Sequence, residues 1–173
     1  MFGRRKKERL TWEVTTPDGT TEEMAEEVAY MDARLFVRIN THGNPAPEKH
    51  GDGDWYDLAT AEDVKMKKGD LKVISLGISI ETPTGYTTYI LPRSSTPKKH
   101  GIILANSMGV IDHSYRGDND IIGFPAYAIR DTTIPKGTRI AQMAIYRSPE
   151  DIAWEETDSL GNDDRGGFGS TGV

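Results

Sequence analysis

The sequence contains no cysteine, and this absence excludes several kinds of chemistry at once. Disulfide bonds, thiolate zinc sites and cysteine nucleophiles are all ruled out. Four histidines are present, and they share no spacing typical of metal ligands, so we assign no protein metal site to them: His42, His50, His100 and His113. No apolar run approaches the ~20 residues of a membrane span. The basic start of the chain lacks the apolar stretch of a secretory signal, so we expect a soluble cytoplasmic protein.

Helical periodicity is also scarce. The 173 residues include 18 glycines and 9 prolines, and 36% of the residues are apolar. This composition predicts one all-β domain with a substantial core and many turns. The net charge of −6 argues against stable nucleic-acid binding, which requires a positive face. A small anionic substrate could still bind to a few local Arg and Lys residues.

Three segments differ in composition. Residues 1–33 form an N-terminal extension, residues 34–157 the β domain, and residues 158–173 a polar, Gly-rich arm that we expect to be flexible unless a ligand or neighbour orders it. Within the β domain, short apolar runs alternate with Gly and Pro turns. These runs predict strands at residues 35–39, 71–80, 86–91, 101–105, 108–112, 124–129 and 138–146.

The N-terminal extension carries a basic cluster that we interpret as a solvated tail. Thr20 and Glu23 fit a capping box, which is a sequence signature of a helix start. Apolar residues then recur at helical spacing at positions 24, 28 and 31. Residues 21–32 are therefore predicted to form a short amphipathic helix.

The most informative segment is residues 109–118. A β-branched pair leads into Asp112, and an aromatic ring, Tyr115, follows three residues later. This pattern places one carboxylate at the mouth of a strand, with the ring beside the same cavity. Burial there would raise the pKa of the Asp112 carboxyl toward the working pH and make it a candidate general base. An aspartate that caps an ordinary hairpin is the simpler interpretation of this segment taken alone.

Other segments could bind an anion or a base. A guanidinium and two hydroxyls follow a predicted strand at residues 92–95, where turn amides can also hold phosphate oxygens. Residues 137–142 offer Arg139 and Gln142, for which a structural ion pair and a surface position are the simpler interpretations. The amide of Asn106 matches the edge of a pyrimidine base. Near the end of the chain, glycines surround a Phe that could stack on a base, and Ser and Thr could bind phosphate.

Taken together and in order, these segments resemble the five motifs of the trimeric dUTPase (dUTP diphosphatase) family. One such motif is a weak signal, but five in order with plausible spacing are a strong one. The similarity covers roughly residues 34–173. The motifs correspond to residues 54–58 with 61–63, residues 92–95, residues 109–117 with Asn106 ahead of them, residues 137–142, and the Gly-rich arm.

The resemblance implies a jelly-roll-like β subunit in a homotrimer, with active sites shared between subunits. The implied reaction is hydrolysis of dUTP to dUMP and pyrophosphate, which keeps uracil out of DNA and supplies dUMP for dTMP synthesis. Asp112 would be the general base that activates the water attacking the α-phosphorus. Mg²⁺ would be carried by the triphosphate and by water without a direct protein ligand, and Asp57 is a candidate contact to those waters.

The same resemblance assigns the substrate contacts. Asn106 and the strand backbone would read uracil, the Tyr115 ring would pack against deoxyribose, and Phe168 would cover the base as a lid. The full set of substrate-binding residues is Arg93, Ser94, Ser95, Asn106, Gly109, Val110, Ile111, Tyr115, Gln142, Arg165, Phe168, Ser170 and Thr171.

The chain departs from the family pattern at several places. Ser114 stands where the family commonly has a second aspartate, and Asp118 stands where a Glu often follows the Arg-Gly pair. Arg165 and Phe168 are separated by two residues, whereas four are usual. Phe124, which follows a lengthened segment, is therefore a second candidate for the stacking ring.

Two alternatives stay open. A dCTP deaminase, or a bifunctional deaminase–diphosphatase, would use the same fold, but it needs an additional acid near the base and no extra Glu is evident there. A non-catalytic nucleotide sensor on the same scaffold is the other alternative. The role of residues 1–33 and any regulatory protein partner are not identified by the sequence.

Overall fold

The computed structural model describes residues 6–15, 21–30 and 35–166. Fourteen strands and one five-residue helix lie within these residues, which confirms the predicted all-β class. The strands are β1 (Lys6–Thr15), β2 (Thr21–Tyr30), β3 (Arg38–Asn40), β4 (Glu48–Lys49), β5 (Tyr56–Ala59), β6 (Val64–Met66), β7 (Leu71–Ser75), β8 (Ser79–Glu81), β9 (Tyr86–Pro92), β10 (Ile102–Leu104), β11 (Gly109–Ile111), β12 (Gly123–Ala128), β13 (Thr132–Ile134) and β14 (Arg139–Arg147). The helix α1 spans Thr96–His100. No helix in these residues is long and apolar enough to cross a membrane.

The hydrophobic core draws on two sheets, one with the strand order β11-β9-β14-β5-β4 and one with the order β10-β12-β7. Strand β12 shows how the sequence produces this arrangement. Its residues Phe124, Ala126 and Ala128 are fully buried, whereas Tyr127 is exposed. Successive side chains of a strand point to opposite faces, so every second residue enters the core. Small residues beside one large ring allow the layers to interdigitate.

Two smaller antiparallel pairs complete the domain, β13 with β6 and β3 with β8. They contribute Val64, Ile134 and Ile80 to the same core cluster. Gly77 ends the continuous strand that the sequence predicted over residues 71–80. Its φ of 67° is left-handed, and an added Cβ would lie 2.4 Å from Nδ2 of Asn44, so only glycine fits. The chain therefore changes sheets there, from β7 to β8.

The predicted N-terminal helix is wrong within the described residues. Thr21–Tyr30 form β2, which pairs antiparallel with β1 from Thr15↔Thr21 to Lys6↔Tyr30. A spacing of four between apolar residues fits a strand period of two as well as a helical turn, so the pattern could not separate them. Pairing with the preceding strand β1 supplies the backbone partners and overrides local helix propensity. Residues 31 and 32 lie outside the described residues.

Several other boundaries also differ from the sequence prediction. The strand predicted at residues 35–39 is limited to β3, and β4 lies in a stretch where no strand was predicted. Strands β5, β6 and β13 and the helix α1 were not predicted, because each is five residues or shorter. Short elements carry too few residues to show a period.

Candidate active site

Strands β5, β9 and β14 bring three of the predicted motifs to one polar cavity of about 270 Å³. The residue Gln142 of β14 lies opposite Asp57 on one side and Leu91 on the other. Because Leu91 directly precedes the turn that carries Arg93, this register places an amide, a carboxylate and a guanidinium together. The cavity is lined by His50, Gly53, Asp54, Trp55, Asp57, Arg93, Ser94, Ser95 and Gln142.

One buried carboxylate holds two arginines at this cavity. Arg93 Nε forms an ion pair with Asp57 Oδ1 at 2.8 Å, and Arg139 Nη1 donates a hydrogen bond to Oδ2 at 3.2 Å. The Asp57 side chain is only 8% exposed, and a buried carboxylate requires such partners. Two guanidinium groups share one negative charge, so the cluster keeps a positive charge for an anion. The structural ion pair considered for Arg139 is present. Both carboxylate oxygens of Asp57 already bind guanidinium groups. A further contact between Asp57 and metal-bound water stays a prediction.

The turn after β9 is held in place by two hydrogen bonds to one backbone carbonyl. Buried Thr96 donates its hydroxyl to the carbonyl of Ile140 at 2.7 Å, and the backbone N–H of Arg93 donates to the same carbonyl at 3.2 Å. The Ser95 side chain makes no capping hydrogen bond to α1, so its hydroxyl can serve a ligand. Gln142 Nε2 donates one hydrogen to the carbonyl of Pro92 at 3.2 Å. An amide nitrogen has two hydrogens, so one remains for a ligand.

A second group of predicted residues lies along β11, at the edge of the five-stranded sheet. One side of β11 pairs with β9. Among the described strands none pairs with the other side, so backbone groups of this edge strand can hydrogen-bond to a flat base. Gly109 lies opposite Ile90, and an added Cβ would come within 2.9 Å of the Cβ of Ile90. Glycine is therefore needed for this close approach. Asn106 lies in the turn that enters β11.

Asp112 follows β11 directly, and its carboxylate is bound by Ser114. The Ser114 hydroxyl donates to Asp112 Oδ1 at 2.5 Å, and the Ser114 backbone N–H donates to the same oxygen at 2.8 Å. The hydroxyl bond, and after it the backbone bond, lowers the pKa of the Asp112 carboxyl below its usual value. Our expectation that burial raises this pKa is wrong for the single chain, because the carboxylate is exposed and its hydrogen bonds favour the charged form.

Tyr115 is held in the loop that follows Asp112. Its hydroxyl donates to the carbonyl of Ile121 at 3.2 Å, and the side chain is 43% exposed. Within the same loop, Asp120 Oδ2 accepts a hydrogen bond from the backbone N–H of Gly117 at 2.7 Å. The lengthened segment after residue 117 therefore closes on itself and orders the tyrosine beside β11.

A single chain does not bring the two groups into one cavity. Asn106, Asp112 and Tyr115 are not among the residues that line the cavity around Arg93 and Gln142. We refer below to Asp57, Arg93, Ser94, Ser95 and Gln142 as the anion half-site. Asn106, residues 109–111, Asp112 and Tyr115 are referred to as the edge half-site.

The stacking-ring candidates have different outcomes. Phe124 is fully buried in the core, so it cannot cover a ligand, and this second candidate is wrong. A ring at an inward position of β12 is fixed by the strand period. Arg165 is exposed near the end of the described part. Three further predicted contacts lie outside the described residues, namely Phe168, Ser170 and Thr171.

Sequence reasoning missed part of the cavity wall. His50 and Gly53 were not foreseen, and they reach the cavity with Asp54 and Trp55 of the first motif because β4 and β5 pair as a hairpin around them. Within residues 6–15, 21–30 and 35–166 there is no group of three or more His, Asp or Glu that could hold a metal ion. Two carboxylates of the first motif have structural partners instead. Glu62 binds Lys72 Nζ at 3.2 Å, and Asp63 accepts the backbone N–H of Lys136 at 2.8 Å.

The fold and the two half-sites define a β-sandwich protein with a cationic anion cavity and an edge strand suited to a flat ligand. The sequence model of the dUTPase family matches residues 45–172, and the chain belongs to this family. It is 55% identical over 147 residues to the SPbeta prophage-derived deoxyuridine 5'-triphosphate nucleotidohydrolase YosS of Bacillus subtilis (strain 168), covering 85% of this chain and 97% of that protein. It is 38% identical over 142 residues to the deoxyuridine 5'-triphosphate nucleotidohydrolase of Thermobifida fusca (strain YX), covering 80% and 79%.

Solved structures show the same fold. The dUTPase from Streptococcus mutans superposes with a TM-score of 0.60 at 23% identity, covering 68% of this chain and 98% of that chain. The Staphylococcus bacteriophage 80alpha dUTPase with dUPNHPP superposes with a TM-score of 0.65 at 24% identity, covering 81% and 100%. The predicted jelly-roll-like architecture is thereby confirmed.

Proposed function

We propose that this protein hydrolyses dUTP to dUMP and pyrophosphate. Membership of the dUTPase family and the identity to a nucleotidohydrolase over most of the chain support this activity. The structural observation that carries the proposal is Asp112, an ionised carboxylate at the end of an edge strand whose backbone can read a base. Two halves of one substrate, a base with its sugar and a chain of phosphates, match the two half-sites.

In the proposed reaction Asp112 is the general base. Ser114 donates both of its hydrogen bonds to Oδ1, and we assign the attacking water to Oδ2. An aspartate whose pKa lies at or below its usual value is ionised at neutral pH, where it can orient the water and accept its proton. The water attacks the α-phosphorus, and the bond between that phosphorus and the bridging oxygen of pyrophosphate breaks.

The anion half-site serves the phosphates. Arg93 supplies charge-assisted hydrogen bonds, and Ser94, Ser95 and Gln142 supply neutral donors. Because Asp57 already fixes Arg93, the guanidinium needs little reorganisation when charge develops on the leaving pyrophosphate. The edge half-site serves the nucleoside, with Asn106 and β11 reading uracil and Tyr115 packing on deoxyribose.

We propose a homotrimer in which a half-site of one copy meets the complementary half-site of another. The separation of the two half-sites in one chain supports this arrangement. Exposed apolar groups around β11 also support it, since Val110 is 58% exposed and Met108 is exposed as well. The arm with Arg165, Phe168, Ser170 and Thr171 is proposed to cover a neighbouring site. The cytoplasmic location stays a prediction.

The donor chemistry of the cavity fits Mg²⁺ that arrives with the triphosphate. Mg²⁺ prefers oxygen ligands, retains several waters and commonly binds through substrate phosphates. Asp54 lies exposed at the cavity, so its carboxylate is available to those waters, and Asp57, whose oxygens both bind guanidinium groups, stays a predicted contact. When bound, the ion would neutralise phosphate charge and orient the triphosphate.

The test is product analysis with purified protein and Mg²⁺. We expect dUMP and pyrophosphate in equal amounts from dUTP, and no ammonia from dCTP. Substantial ammonia release from dCTP would instead establish the deaminase alternative. Binding of dUTP without pyrophosphate release would identify a nucleotide sensor. Sedimentation at micromolar concentration should give the mass of three protomers, and a monomer that is fully active would contradict the shared site.

A further inference from the structure

The contact between Ser114 and Asp112 goes beyond what the turn itself requires. A turn of this kind needs only the hydrogen bond from the backbone N–H of residue 114 to the aspartate two residues earlier. Every residue except proline can donate that bond. The Ser114 hydroxyl adds a second hydrogen bond to the same oxygen, and only serine or threonine offers one from this position.

The two bonds divide the carboxylate into unlike oxygens. Both Ser114 donors bind Oδ1, and an O–H donor at 2.5 Å from a carboxylate oxygen has the short length of a charge-assisted bond. With Oδ1 fixed at two points, rotation about the bond between Cβ and Cγ is restricted. The other oxygen, Oδ2, is therefore presented in one direction.

We propose that Ser114 is a positioning residue for Asp112: the Ser114 hydroxyl fixes Oδ1 so that Oδ2 is aimed at the attacking water. This inference rests on the proposed hydrolysis of dUTP. Ser114 needs no contact with the substrate for this role, because it acts through Asp112.

The environment of Asp112 makes the Ser114 contribution separable. The hydroxyl bond is the largest cause of the lowered pKa of Asp112, and the positive charge of His113 on the same turn contributes less. The turn also has backbone bonds of its own, from Tyr115 N–H to the Asp112 carbonyl and from Arg116 N–H to the Ser114 carbonyl. Removing the hydroxyl should therefore leave the turn in place.

The experiment compares Ser114→Ala, Ser114→Thr and the unmodified protein across pH, following pyrophosphate release from dUTP. Without the hydroxyl the pKa of Asp112 rises, and a base must be deprotonated to act. In Ser114→Ala we expect the acid limb of kcat/KM to move to higher pH, because the largest cause of the lowered pKa is removed. The plateau kcat should fall about three- to tenfold with KM nearly unchanged, because the loss of Oδ2 orientation affects the attacking water and not substrate binding.

Two further variants complete the design. Ser114→Thr keeps the hydroxyl and should restore both the acid limb and kcat. Ser75→Ala is the matched control. The Ser75 hydroxyl oxygen accepts a hydrogen bond from the backbone N–H of Gly77, two residues later, at 3.2 Å, but Ser75 lies in β7. This control should leave the pH profile unchanged.

An unshifted acid limb and an unchanged kcat in a folded Ser114→Ala protein would overturn the positioning role. A Ser114→Thr protein that behaves like Ser114→Ala would also overturn it, since the hydroxyl would then be irrelevant. These failures differ from failure of the proposed function. If the unmodified protein releases no pyrophosphate from dUTP, the hydrolase assignment itself is wrong, whatever the variants do.

Discussion

The two half-sites are built in opposite ways. The anion half-site lies over inner strands of the five-stranded sheet, and its central carboxylate is buried and bound to two guanidinium groups. The edge half-site uses the outermost strand, and its side chains Val110 and Tyr115 are largely exposed. The first is therefore preorganised within one chain. The second keeps open faces, which suits a surface that a neighbouring copy and a ligand cover.

The contrast follows from what each half must recognise. Phosphates carry dispersed charge, and a guanidinium held in place by a buried partner attracts them without further adjustment. A base is a flat object with a specific edge, and an edge strand can offer it peptide groups only if no other strand pairs there. Substitutions in each half-site test this division.

Replacing the charged group of the edge half-site should have the largest effect. In Asp112→Asn we expect kcat for dUTP to fall ~10²-fold or more, the usual scale for loss of a general base. Steady-state pyrophosphate release measures this. Asp131→Asn is the matched control, since Asp131 is also an exposed carboxylate bound by a backbone N–H, that of Lys68 at 2.9 Å, but lies outside both half-sites. Turnover within a few-fold of the unmodified protein in Asp112→Asn would show that another group is the base.

Removing the charge of the anion half-site should affect binding and stability together. In Asp57→Asn, Arg93 and Arg139 lose their shared partner, so we expect kcat/KM to fall about 30-fold through misplacement of the phosphate-binding guanidinium. The free energy of unfolding should fall by about 2 kcal/mol, because breaking a mostly buried ion pair strands its partners. Kinetics and urea unfolding at fixed protein concentration measure the two effects.

The control for this change is Glu62→Gln. Glu62 belongs to the same sequence motif, but its bridge to Lys72 is solvent-exposed and should contribute less than about 1 kcal/mol. Equal losses of stability in Asp57→Asn and Glu62→Gln would contradict the view that the anion half-site is organised around one buried carboxylate.

A single methyl group tests the close approach of β11 to β9. In Gly109→Ala the new Cβ meets the Cβ of Ile90, and such overpacking costs about 1 to 3 kcal/mol. A displaced edge strand should lower kcat/KM about tenfold, the equivalent of ~1.4 kcal/mol. Urea unfolding of the same variant shows how much of that cost is global. An unaltered kcat/KM would mean that β11 does not read the ligand through its backbone.

The smallest effect is expected at the tyrosine hydroxyl. Tyr115→Phe keeps the ring and loses the bond to the Ile121 carbonyl, which is long and partly exposed. We expect about a twofold rise in KM, near the lower end of the net value of a hydrogen bond. Tyr127→Phe, on the exposed face of β12, is the control. A loss of tenfold or more in Tyr115→Phe would mean that the hydroxyl contacts the substrate directly.

The sequence named residues of both half-sites, but it did not predict the contacts that hold them in place. Arg93, Asp112 and Tyr115 were identifiable because each follows a strand, and turn residues together with β-branched runs mark strand ends locally. The ion pair between Asp57 and Arg93 could not be foreseen. It depends on β14 lying between β5, which carries Asp57, and β9, which precedes Arg93. The direction of the pKa shift of Asp112 was missed for a similar reason, because it depends on exposure and on a rotamer of Ser114.

The N-terminal segment shows where local sequence signals fail to predict secondary structure. Residues 21–30 have good local helix signals, and a capping box and a spacing of four are genuine features of that sequence. What decides the outcome is β1, a partner earlier in the chain with which all ten residues pair. Local patterns predict turns and strand ends well here, and they predict poorly where pairing with another strand supplies the hydrogen bonds.

The position of β11 at the edge of its sheet has an evolutionary consequence. If peptide groups recognise the base, the recognising atoms are present whichever amino acids occupy the strand, apart from proline, which lacks the N–H. A point mutation within the strand can then weaken this backbone recognition only by moving the strand, as at Gly109, whereas Asn106, outside the strand, contributes a side-chain amide. An inhibitor that pairs with this strand would face few routes to resistance through side-chain substitution, and the positions most worth watching for escape are the glycine and the residue packed against it, Ile90.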